Sequence, residues 1–410
     1  MPRFTIARKA DALAQTARGG WRALASNVTA VGWMAIGFAG VGLPLGLALR
    51  WIEVSVAGGA SVVLLVTALP FLLGSNAFAV EFAVSADRVV AGEPAEGRIR
   101  VTNSSRSLQL SGRLDVPVGT TITRLPVPML RGGAHVESPL EIPTSRRGVI
   151  DVGPVRSVRS DPLGLMARVR EWPNVRRVYV HPPTVTVPST MSGFIRDLEG
   201  SPTQNLVDSD ISFHAIREYV PGDGQRHIHW KSTAKTGRLM VRQFEESRRA
   251  RIAVLLGTNP LEFATPDEFE LAVSVAGSLG TRAIRDGRDV SVLVSGSSRG
   301  IRKLSSTAAR FLLDDLCTVD LDESASVLHE LSTQTSRQLP DLSLVIAVCG
   351  SVLGFKQAAR MRSTLPSDVA MLLVVCDESA APGFKEINGT PILTVAVLDD
   401  LRALLSRRVE

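Results

Sequence analysis

The side chains best suited to chemistry are concentrated in one stretch of the chain, residues 214–246. This stretch holds three of the six histidines, one of the two tyrosines and one of the five tryptophans of the 410-residue chain. Two imidazoles beside a carboxylate can bind a transition metal and activate water for hydrolysis. Asp223, His227 and His229 are therefore the set that a metal-dependent hydrolase or nuclease would use, with His214 as an alternative ligand.

Whether the two histidines converge depends on the local backbone. Residues two apart share a face on a strand, whereas on a helix they diverge by about 200°. Pro221–Gly224 predicts a turn after a strand, and Asp223 is placed to cap a short helix that runs to about Ala234. Such a helix would separate the imidazoles and place Arg226 and Trp230 on one face, so the sequence disfavours the metal site.

A predicted strand, Leu239–Phe244, follows the glycine that ends this helix. With that geometry the charged side chains of the stretch could meet in one ion-pair network. Its members would be four arginines and four carboxylates, namely Arg217, Arg226, Arg238, Arg242, Glu218, Asp223, Glu245 and Glu246.

The same stretch could instead recognise a macromolecule. Stacking on Trp230 and Tyr219 would suit nucleic acid, but the charge is mixed rather than a basic stripe, which argues against that partner. Arginine, tyrosine and tryptophan are enriched in protein-binding hot spots. We predict either a protein-interaction surface or a buried network that joins two domains without a ligand. The residues of this prediction are Arg217, Glu218, Tyr219, Pro221, Gly222, Asp223, Arg226, Trp230, Lys231, Gly237 and Arg242.

Two apolar stretches without charge, Ala23–Leu49 and Val54–Val80, lie upstream, and each exceeds the roughly 20 residues that cross a bilayer as a helix. Small residues in Gly37–Gly40 and Gly58–Ala60 are expected to let the two helices approach closely. The tail before them carries five basic residues and one acidic one. The positive-inside rule therefore predicts a multi-pass protein of the inner (cytoplasmic) membrane with both termini in the cytoplasm. A cleaved signal peptide is the alternative, which the second stretch disfavours.

Charge and cysteine content agree with a cytoplasmic bulk. A net charge of +6 is modest for 410 residues and fits a membrane protein with a cytoplasmic face at least as well as a nucleic-acid binder. The three cysteines, Cys317, Cys349 and Cys376, are few, odd in number and flanked by apolar residues. They predict buried thiols in a reducing compartment rather than a secreted disulfide framework.

The remaining sequence predicts two folded domains. Residues 81–190 alternate with a period of two between turn signals, which is typical of a small β-sandwich that serves as a spacer or docking module. Apolar strands then alternate with helices, beginning with Ile252–Leu256 and with a capping box at Thr265 and Glu268. That alternation predicts a mostly parallel sheet covered on both faces. No Gly-rich phosphate loop follows its strands, so we expect no nucleotide or other cofactor.

The fold class is thus multi-domain, with a transmembrane helical hairpin, a β-sandwich and a C-terminal α/β domain. The predicted ranges are a basic tail at 1–22, the hairpin at 23–80, the sandwich at 81–190, a signature segment at 191–247 and the α/β domain at 248–410.

Several motifs resemble the signature of the domain-of-unknown-function 58 family. They are Arg217–Asp223, Arg226, Ile228, Trp230, Lys231 and the strand from Gly237 to Glu246, with Arg147–Pro154 and Asp161–Leu165 resembling the family's upstream element. The resemblance covers nearly the whole chain. It implies a bacterial or archaeal membrane-associated protein, often encoded beside MoxR-type AAA+ ATPases, and a von Willebrand factor A-like (Rossmann-type) C-terminal domain.

The family has no settled activity, so the resemblance implies a role rather than a reaction. We expect a non-enzymatic interaction or assembly factor that acts with a MoxR-type AAA+ ATPase, with no nucleic acid and no small-molecule substrate. The alternative is the metal-dependent hydrolase or nuclease centred on Asp223, His227 and His229.

The resemblance also raises the question of a metal in the α/β domain. Domains of the von Willebrand factor A type often carry an Asp-x-Ser-x-Ser loop after the first strand. Here the loop begins Gly257, Thr258 and Asn259, and it lacks the carboxylate that a hard cation such as Mg²⁺ prefers. We therefore expect no working metal site there, and any partner binding should be independent of metal.

Overall fold

The computed structural model describes residues 27–72, 78–188, 213–221, 223–244, 251–296, 300–339, 341–352 and 355–407. The chain forms two compact units, Met1–Val180 and His181–Glu410. The basic tail, Gly222, Glu245, Glu246 and the side chains of His214 and Arg226 lie outside the described residues. The division into five ranges stays a prediction.

The first unit begins with two apolar helices, α1 (Ala30–Leu49) and α2 (Ile52–Leu72). Within α1 a π-helical turn, Phe38–Gly42, separates α-helical Ala30–Gly37 from Leu43–Leu49. By length and composition both helices are able to cross a membrane. The predicted second stretch was too long, because the apolar residues near Val80 belong to a strand rather than to α2.

Two glycines set the contact between α1 and α2. A side chain at Gly58 would lie 2.7 Å from the backbone of Leu43, and one at Gly46 would lie 2.7 Å from Ser55. The helices therefore meet backbone to backbone, as small residues allow. Gly58 was predicted at this contact, but Gly37 and Gly40 were wrong choices, since a side chain at either would meet nothing within 4 Å.

Ten strands follow in two sheets. The smaller sheet has the order β1-β3-β6, and the larger has the order β2-β10-β7-β4-β8-β9 with β5 paired to β4. The bounds are β1 (Phe78–Val84), β2 (Arg88–Val90), β3 (Ala95–Asn103), β4 (Gly112–Val118), β5 (Thr121–Val127), β6 (His135–Ile142), β7 (Gly148–Val152), β8 (Val155–Ser160), β9 (Ala167–Trp172) and β10 (Arg176–His181). Alternate residues such as Ile99 of β3 and Val116 of β4 share one buried core, so the sheets pack face to face.

The loop between β8 and β9, Asp161–Met166, holds the start of α1. The Asp161 carboxylate accepts hydrogen bonds from the amides of Leu163 (3.0 Å) and Met166 (2.6 Å), which fixes the loop. The Thr29 amide donates to the Leu165 carbonyl (3.0 Å), and the Thr29 hydroxyl donates to the Gly164 carbonyl (2.7 Å). Leu165 and Met166 also share a small buried cluster with Ala35 of α1 and Ala68 of α2. Part of the upstream motif of the resemblance, Asp161–Leu165, is therefore the joint between helices and sheets.

The second unit contains a two-stranded antiparallel hairpin and a large sheet. The hairpin pairs β11 (Phe213–Glu218) with β12 (Met240–Phe244), with the short helix α3 (Trp230–Thr236) between them. The large sheet has the order β15-β14-β13-β16-β17-β19-β18, with five parallel strands and antiparallel edges. Its strands are β13 (Arg251–Leu256), β14 (Asp289–Gly296), β15 (Gly300–Lys303), β16 (Leu342–Gly350), β17 (Ala370–Cys376), β18 (Gly383–Ile387) and β19 (Thr390–Val395).

Helices cover both faces of the large sheet, as the alternation of apolar strands and helices predicts. One buried cluster contains residues of α4 (Pro266–Arg285), α5 (Ala309–Leu316) and α8 (Leu398–Arg407). The other contains residues of α6 (Leu328–Gln338) and α7 (Phe355–Thr364). The three cysteines are free and buried, and burial raises the pKa of the Cys349 and Cys376 thiols, which disfavours their reactive thiolate form.

Candidate functional site

The signature residues form a compact hairpin in the second unit. Strand β11 ends at Glu218, and a turn follows in which the Asp223 amide donates to the Val220 carbonyl (3.0 Å). The chain then makes a 3₁₀ turn at Gln225–His227 and returns to β12, where Ile228 forms a bridge with Val241. The turn at Pro221–Gly224 was predicted correctly, but the single helix from Asp223 to Ala234 was wrong.

Asp223 has a role other than the predicted helix cap. Its two carboxylate oxygens each accept a hydrogen bond of 2.7 Å from the Arg217 guanidinium, and the Val220 amide donates to one of them at 2.9 Å. The Arg217 bonds, followed by the Val220 amide, hold the pKa of Asp223 below its usual range. The ionised carboxylate thus closes the turn as an anchor, because a charge-assisted bidentate pair fixes geometry as well as charge.

A second ion pair joins the ends of the hairpin. The Arg238 guanidinium donates to the Glu218 carboxylate at 2.7 Å, and both side chains are exposed. A pair in that setting contributes at most about 1 kcal/mol. The described part of the predicted network therefore consists of two separate pairs rather than one cluster, and Arg242 is exposed on β12.

His227 and His229 lie on neither a regular helix nor a regular strand. His227 is buried at the end of the 3₁₀ turn. His229 is the N-cap of α3, where its Nδ1 lies 2.8 Å from the Ser232 hydroxyl. Across the residues that the structure describes, no group of three or more His, Cys, Asp or Glu side chains is placed to hold a metal ion.

The exposed side chains of the hairpin include aromatic, apolar and basic ones. Trp230 is 66% exposed, and none of the residues of α3 is buried. Trp230 therefore does not belong to a buried aromatic network. Val220 and Leu239 are exposed apolar residues. They lie close together because the amide of Tyr219, which precedes Val220, donates to the Leu239 carbonyl at 2.8 Å. We call this exposed set the Trp230 surface, and its residues are Val220, Trp230, Lys231, Lys235, Leu239 and Arg242.

The remaining signature residues shape this unit. Gly237 ends α3 with a positive φ of 73°, and its amide donates to the Thr233 carbonyl at 2.9 Å. A side chain there would be strained in the left-handed region. Pro221 is exposed in the turn and Tyr219 is half-buried beside it.

At the carboxyl ends of the two central strands, β13 and β16, the α/β domain is closed by its own side chains. Connections diverge to opposite sides of the sheet at this point, which is where α/β domains commonly bind ligands. Glu262, in the 3₁₀ turn Pro260–Glu262, is 2% exposed and accepts a hydrogen bond from the Leu328 amide. A side chain at Gly257 would collide with its carboxylate, and one at Gly350 would lie 2.6 Å from Phe263.

Burial raises the pKa of Glu262 to about 7, against the opposing effect of the Leu328 amide. Glu268 lies beside the same strand ends, where its carboxylate accepts from the Ala264 amide (2.8 Å) and the Ser351 hydroxyl (2.8 Å). The Thr265 hydroxyl caps α4 as predicted, accepting from the Glu268 amide at 3.1 Å. Sequence reasoning missed Glu262, although paired glycines at the ends of two central strands were the available signal.

The loop Gly257–Asn259 is likewise occupied by protein contacts. The Thr258 hydroxyl donates to the Ser295 carbonyl (2.9 Å), and the Asn259 side-chain amide donates to the Ala325 carbonyl (2.7 Å). A cavity of about 320 Å³ lies next to this loop, where the Arg302 guanidinium already donates to the Thr318 hydroxyl at 2.6 Å. The described polar side chains of this loop therefore form hydrogen bonds within the α/β domain.

Comparison with known proteins bears on the signature hairpin and on part of the α/β domain. Residues 215–326 match the model of the family described as Protein of unknown function DUF58, which confirms the resemblance over that segment. A similar protein, the uncharacterized protein YeaD of Bacillus subtilis (strain 168), is 29% identical over 87 residues. That match covers 21% of this chain and 21% of YeaD.

Solved structures resemble parts of the chain only distantly. The CARDB domain of a Pyrococcus furiosus protein is 14% identical, covers 26% of this chain and 97% of its own, and has a TM-score of 0.20. The sporulation control protein Spo0M of Bacillus subtilis is 14% identical, covers 35% of this chain and 58% of its own, and has a TM-score of 0.17. Likeness at this level carries no argument about function.

Proposed function

We propose from the geometry that this protein is a membrane-anchored interaction or assembly factor. Residues 215–326 match the DUF58 family model, and the function of that family is unknown. Its contact site is the Trp230 surface, and the partner is a protein with an acidic face. The single observation that carries the proposal is the 66% exposure of Trp230 on a helix without buried residues.

The rigidity of the hairpin supports a recognition role. The Arg217–Asp223 pair and the bridge from Ile228 to Val241 fix the segment on which Trp230 is mounted. A large aromatic side chain held in solvent costs free energy unless a partner covers it, and tryptophan is among the residues most enriched in binding hot spots. The signature thus divides into residues that build the hairpin and residues that meet the partner.

The charge of the hairpin selects the kind of partner. Residues 213–244 contain six basic and two acidic side chains, a net charge of +4 with neutral histidines. Both acidic side chains are already engaged by Arg217 and Arg238. Lys231, Lys235 and Arg242 remain to meet an acidic surface, which would accelerate association at low ionic strength. From the family resemblance, a MoxR-type AAA+ ATPase is the partner that we propose.

The anchor is the pair of apolar helices. Helices α1 and α2 cross the inner (cytoplasmic) membrane as a hairpin, and the basic tail before α1 keeps both termini in the cytoplasm. The C-terminal domain is of the von Willebrand factor A type, which its five parallel central strands support. Because Glu262 fills the end of β13, partner binding is independent of divalent metal.

Within the described part of the chain, the geometry of Asp223 disfavours the enzymatic alternative. A hydrolase centred on Asp223, His227 and His229 needs a carboxylate that is able to turn toward a metal or a water molecule. Both oxygens of Asp223 are instead committed to Arg217 and the Val220 amide. We therefore do not propose catalysis.

The test is co-purification from detergent-solubilised membranes, with and without ATP. The Trp230→Ala variant should recover at least about tenfold less AAA+ ATPase than the wild type, because hot-spot truncations cost about 2 kcal/mol or more. Lys231→Glu should weaken recovery most at low salt. Leu261→Ala is the matched control, because Leu261 is 76% exposed in the α/β domain and outside the Trp230 surface.

Circular dichroism must show that Trp230→Ala keeps the wild-type fold. Equal recovery of the ATPase by the wild type, Trp230→Ala and Lys231→Glu would overturn the assignment of the Trp230 surface. Recovery that is lost on chelation of Mg²⁺ in the absence of nucleotide would contradict metal-independent binding.

A further inference from the structure

The loop between β8 and β9, Asp161–Met166, meets the two apolar helices within their length rather than at their ends. Its residues Leu165 and Met166 share a buried cluster with Ala35 of α1 and Ala68 of α2. Ala35 lies five residues after the start of α1, which is about 7 Å along the helix axis. Ala68 lies four residues before the end of α2, which is about 6 Å along its axis. The loop therefore reaches past the ends of both helices.

The helices are only just long enough to span a bilayer. Helix α1 has 20 residues and α2 has 21, so each is about 30 Å long. The hydrocarbon core of a bilayer is also about 30 Å thick. Tilting a helix shortens its reach across the core further. When α1 and α2 span the membrane, the loop that touches Ala35 therefore lies below the surface of the bilayer.

The backbone of the loop is suited to that position. Irregular backbone is tolerated at membrane depth only where the protein itself bonds its polar groups. The amides of Leu163 and Met166 donate to the buried Asp161 carboxylate. The Gly164 amide donates to the Asp161 carbonyl (3.0 Å), and the Asp161 amide donates to the Met166 carbonyl (3.2 Å). Two further carbonyls of the loop accept from the Thr29 hydroxyl (2.7 Å) and the Thr29 amide (3.0 Å).

Leu163 is the residue of the loop that the joint with the helices does not explain. Its apolar side chain is 57% exposed. The preceding residue, Pro162, is exposed as well and has no amide hydrogen that needs a partner. A single exposed leucine is ordinary on a soluble surface. This one lies on a loop that contacts two helices able to cross a membrane, where acyl chains would cover it favourably.

We propose that the loop Asp161–Met166 is inserted into the lipid bilayer, with the Leu163 side chain among the upper acyl chains. The depth of about 6–7 Å is that of elements that lie at the boundary between headgroups and acyl chains. The sandwich is then held to the membrane by a third contact besides α1 and α2. The inference rests on the membrane anchoring of the proposed function and is independent of the Trp230 surface.

The experiment uses the full chain in vesicles of phosphatidylcholine and phosphatidylglycerol, with an environment-sensitive dye (nitrobenzoxadiazole) on one introduced cysteine. The native cysteines are buried, so the dye attaches to the introduced thiol. On Leu163→Cys the dye should emit at a shorter wavelength than in water. It should lose most of its emission when the vesicles contain a lipid with a nitroxide high on the acyl chain, because that quencher lies at the proposed depth.

Ile122→Cys is the matched control, because Ile122 is 55% exposed and lies at the opposite end of the sandwich. Strand β4 pairs antiparallel with β8 and ends at Val118, away from the loop, and Ile122 of β5 pairs there with Pro117. Its dye should keep the emission of a water-exposed probe in the presence of the nitroxide lipid. Equal quenching at both positions would mean that the sandwich lies flat on the membrane, and it would overturn the inference.

Val63→Cys separates failure of the inference from failure of the anchoring. Val63 is 61% exposed near the middle of α2, so its dye should be quenched most by a nitroxide deep in the acyl chains. Quenching of this dye without quenching at Leu163→Cys would overturn only the insertion of the loop. The absence of quenching at both would overturn the anchoring and, with it, the inference.

Two checks complete the test. Circular dichroism in detergent must show that each labelled variant keeps the wild-type fold. A nitroxide on the lipid headgroup should quench the dye on Leu163→Cys less than a nitroxide high on the acyl chain does. The reverse order would place the loop on the surface of the membrane and would overturn its insertion.

Discussion

Glu262 illustrates how one buried carboxyl group shapes the α/β domain. One of its oxygens accepts from the Leu328 amide, which starts α6, while the other is buried without a partner. The side chain occupies the space beside Gly257 where a ligand could otherwise enter. Burial without full compensation disfavours the charged form, so the carboxyl stays protonated to a higher pH than usual.

Stability should therefore depend on the protonation of Glu262. Its pKa of about 7 in the folded protein lies above the ordinary value of 4.5, so the folded state holds the proton more tightly. The stabilisation is present below pH 4.5 and declines as the pH rises to about 7. The loss amounts to about 3 kcal/mol by linkage. Glu262→Gln should remove this decline and unfold at a higher denaturant concentration than the wild type at pH 8.

Chemical denaturation of the full chain in detergent at pH 5 and pH 8 measures the effect. Glu378→Gln is the control, because Glu378 is exposed in the same domain. This control should follow the wild type at both pH values. A Glu262→Gln variant with the same pH dependence as the wild type would contradict the assignment.

At the residue scale, the sequence allowed the family motif to be recognised but did not predict the contacts of its side chains. The types and order in Arg217–Asp223 were sufficient to recognise the signature. The partner of Asp223 could not be predicted from the sequence. Pro-Gly-Asp-Gly is equally compatible with a helix cap and with a carboxylate that pairs with an arginine six residues earlier.

Among the secondary-structure elements, the two apolar helices show the clearest link between sequence and packing. Their contact depends on where glycine lets one backbone approach the other, which is Gly46 and Gly58 rather than Gly37 and Gly40. Both sets look alike in an apolar sequence. The helical phase that decides between them depends on the π-helical turn Phe38–Gly42, which shifts the facing side of α1.

The neighbouring glycines of α2 provide a matched test of this contact. Gly58→Ala should destabilise the pair by about 1–3 kcal/mol, because the new Cβ would lie 2.7 Å from the Leu43 backbone. Gly59→Ala should be neutral or slightly stabilising, because its Cβ meets nothing within 4 Å and alanine favours helix. Thermal unfolding in detergent distinguishes them. Equal melting temperatures for the two variants would show that the backbones do not meet there.

The elements of the α/β domain were predictable where their residues are apolar. Buried strands such as β13 and β17 are continuous apolar runs, and the helix beginning at Thr265 has its capping and apolar spacing in sequence. The edge strands β15 and β18 and the helix α7 were missed. Both edge strands contain charged side chains, arginine and lysine in β15 and lysine and glutamate in β18. Their composition therefore resembles that of a loop.

For the molecule as a whole, orientation in the membrane is the property that decides where the Trp230 surface can act. The three native cysteines are buried, so a membrane-impermeant maleimide should label only introduced thiols. Trp51→Cys, between α1 and α2, should be labelled in intact cells. Leu108→Cys, exposed in the sandwich, should be labelled only after the cells are permeabilised. Labelling of Leu108→Cys in intact cells would place the sandwich outside the cytoplasm and contradict the proposal.

The order of domains along the chain was predictable because each has its own periodicity, from continuous apolar runs to a period of two and then alternating strands and helices. The contact that joins the helices to the sandwich was not predictable from the sequence. That joint relies on Thr29 and Asp161–Met166, which are about 130 residues apart and individually ordinary. Sequence periodicity reports on neighbours along the chain, whereas a joint of this kind exists only after the sheets have formed.

The position of that joint has a consequence for how the protein is made. Helix α2 ends at Leu72, whereas the loop that receives α1 begins at Asp161. The ribosome must add roughly 90 residues in between, which takes about 5–18 s at ordinary elongation rates. In the membrane-spanning arrangement that we propose, the described contact at Gly46 and Gly58 is what pairs the two helices during this interval.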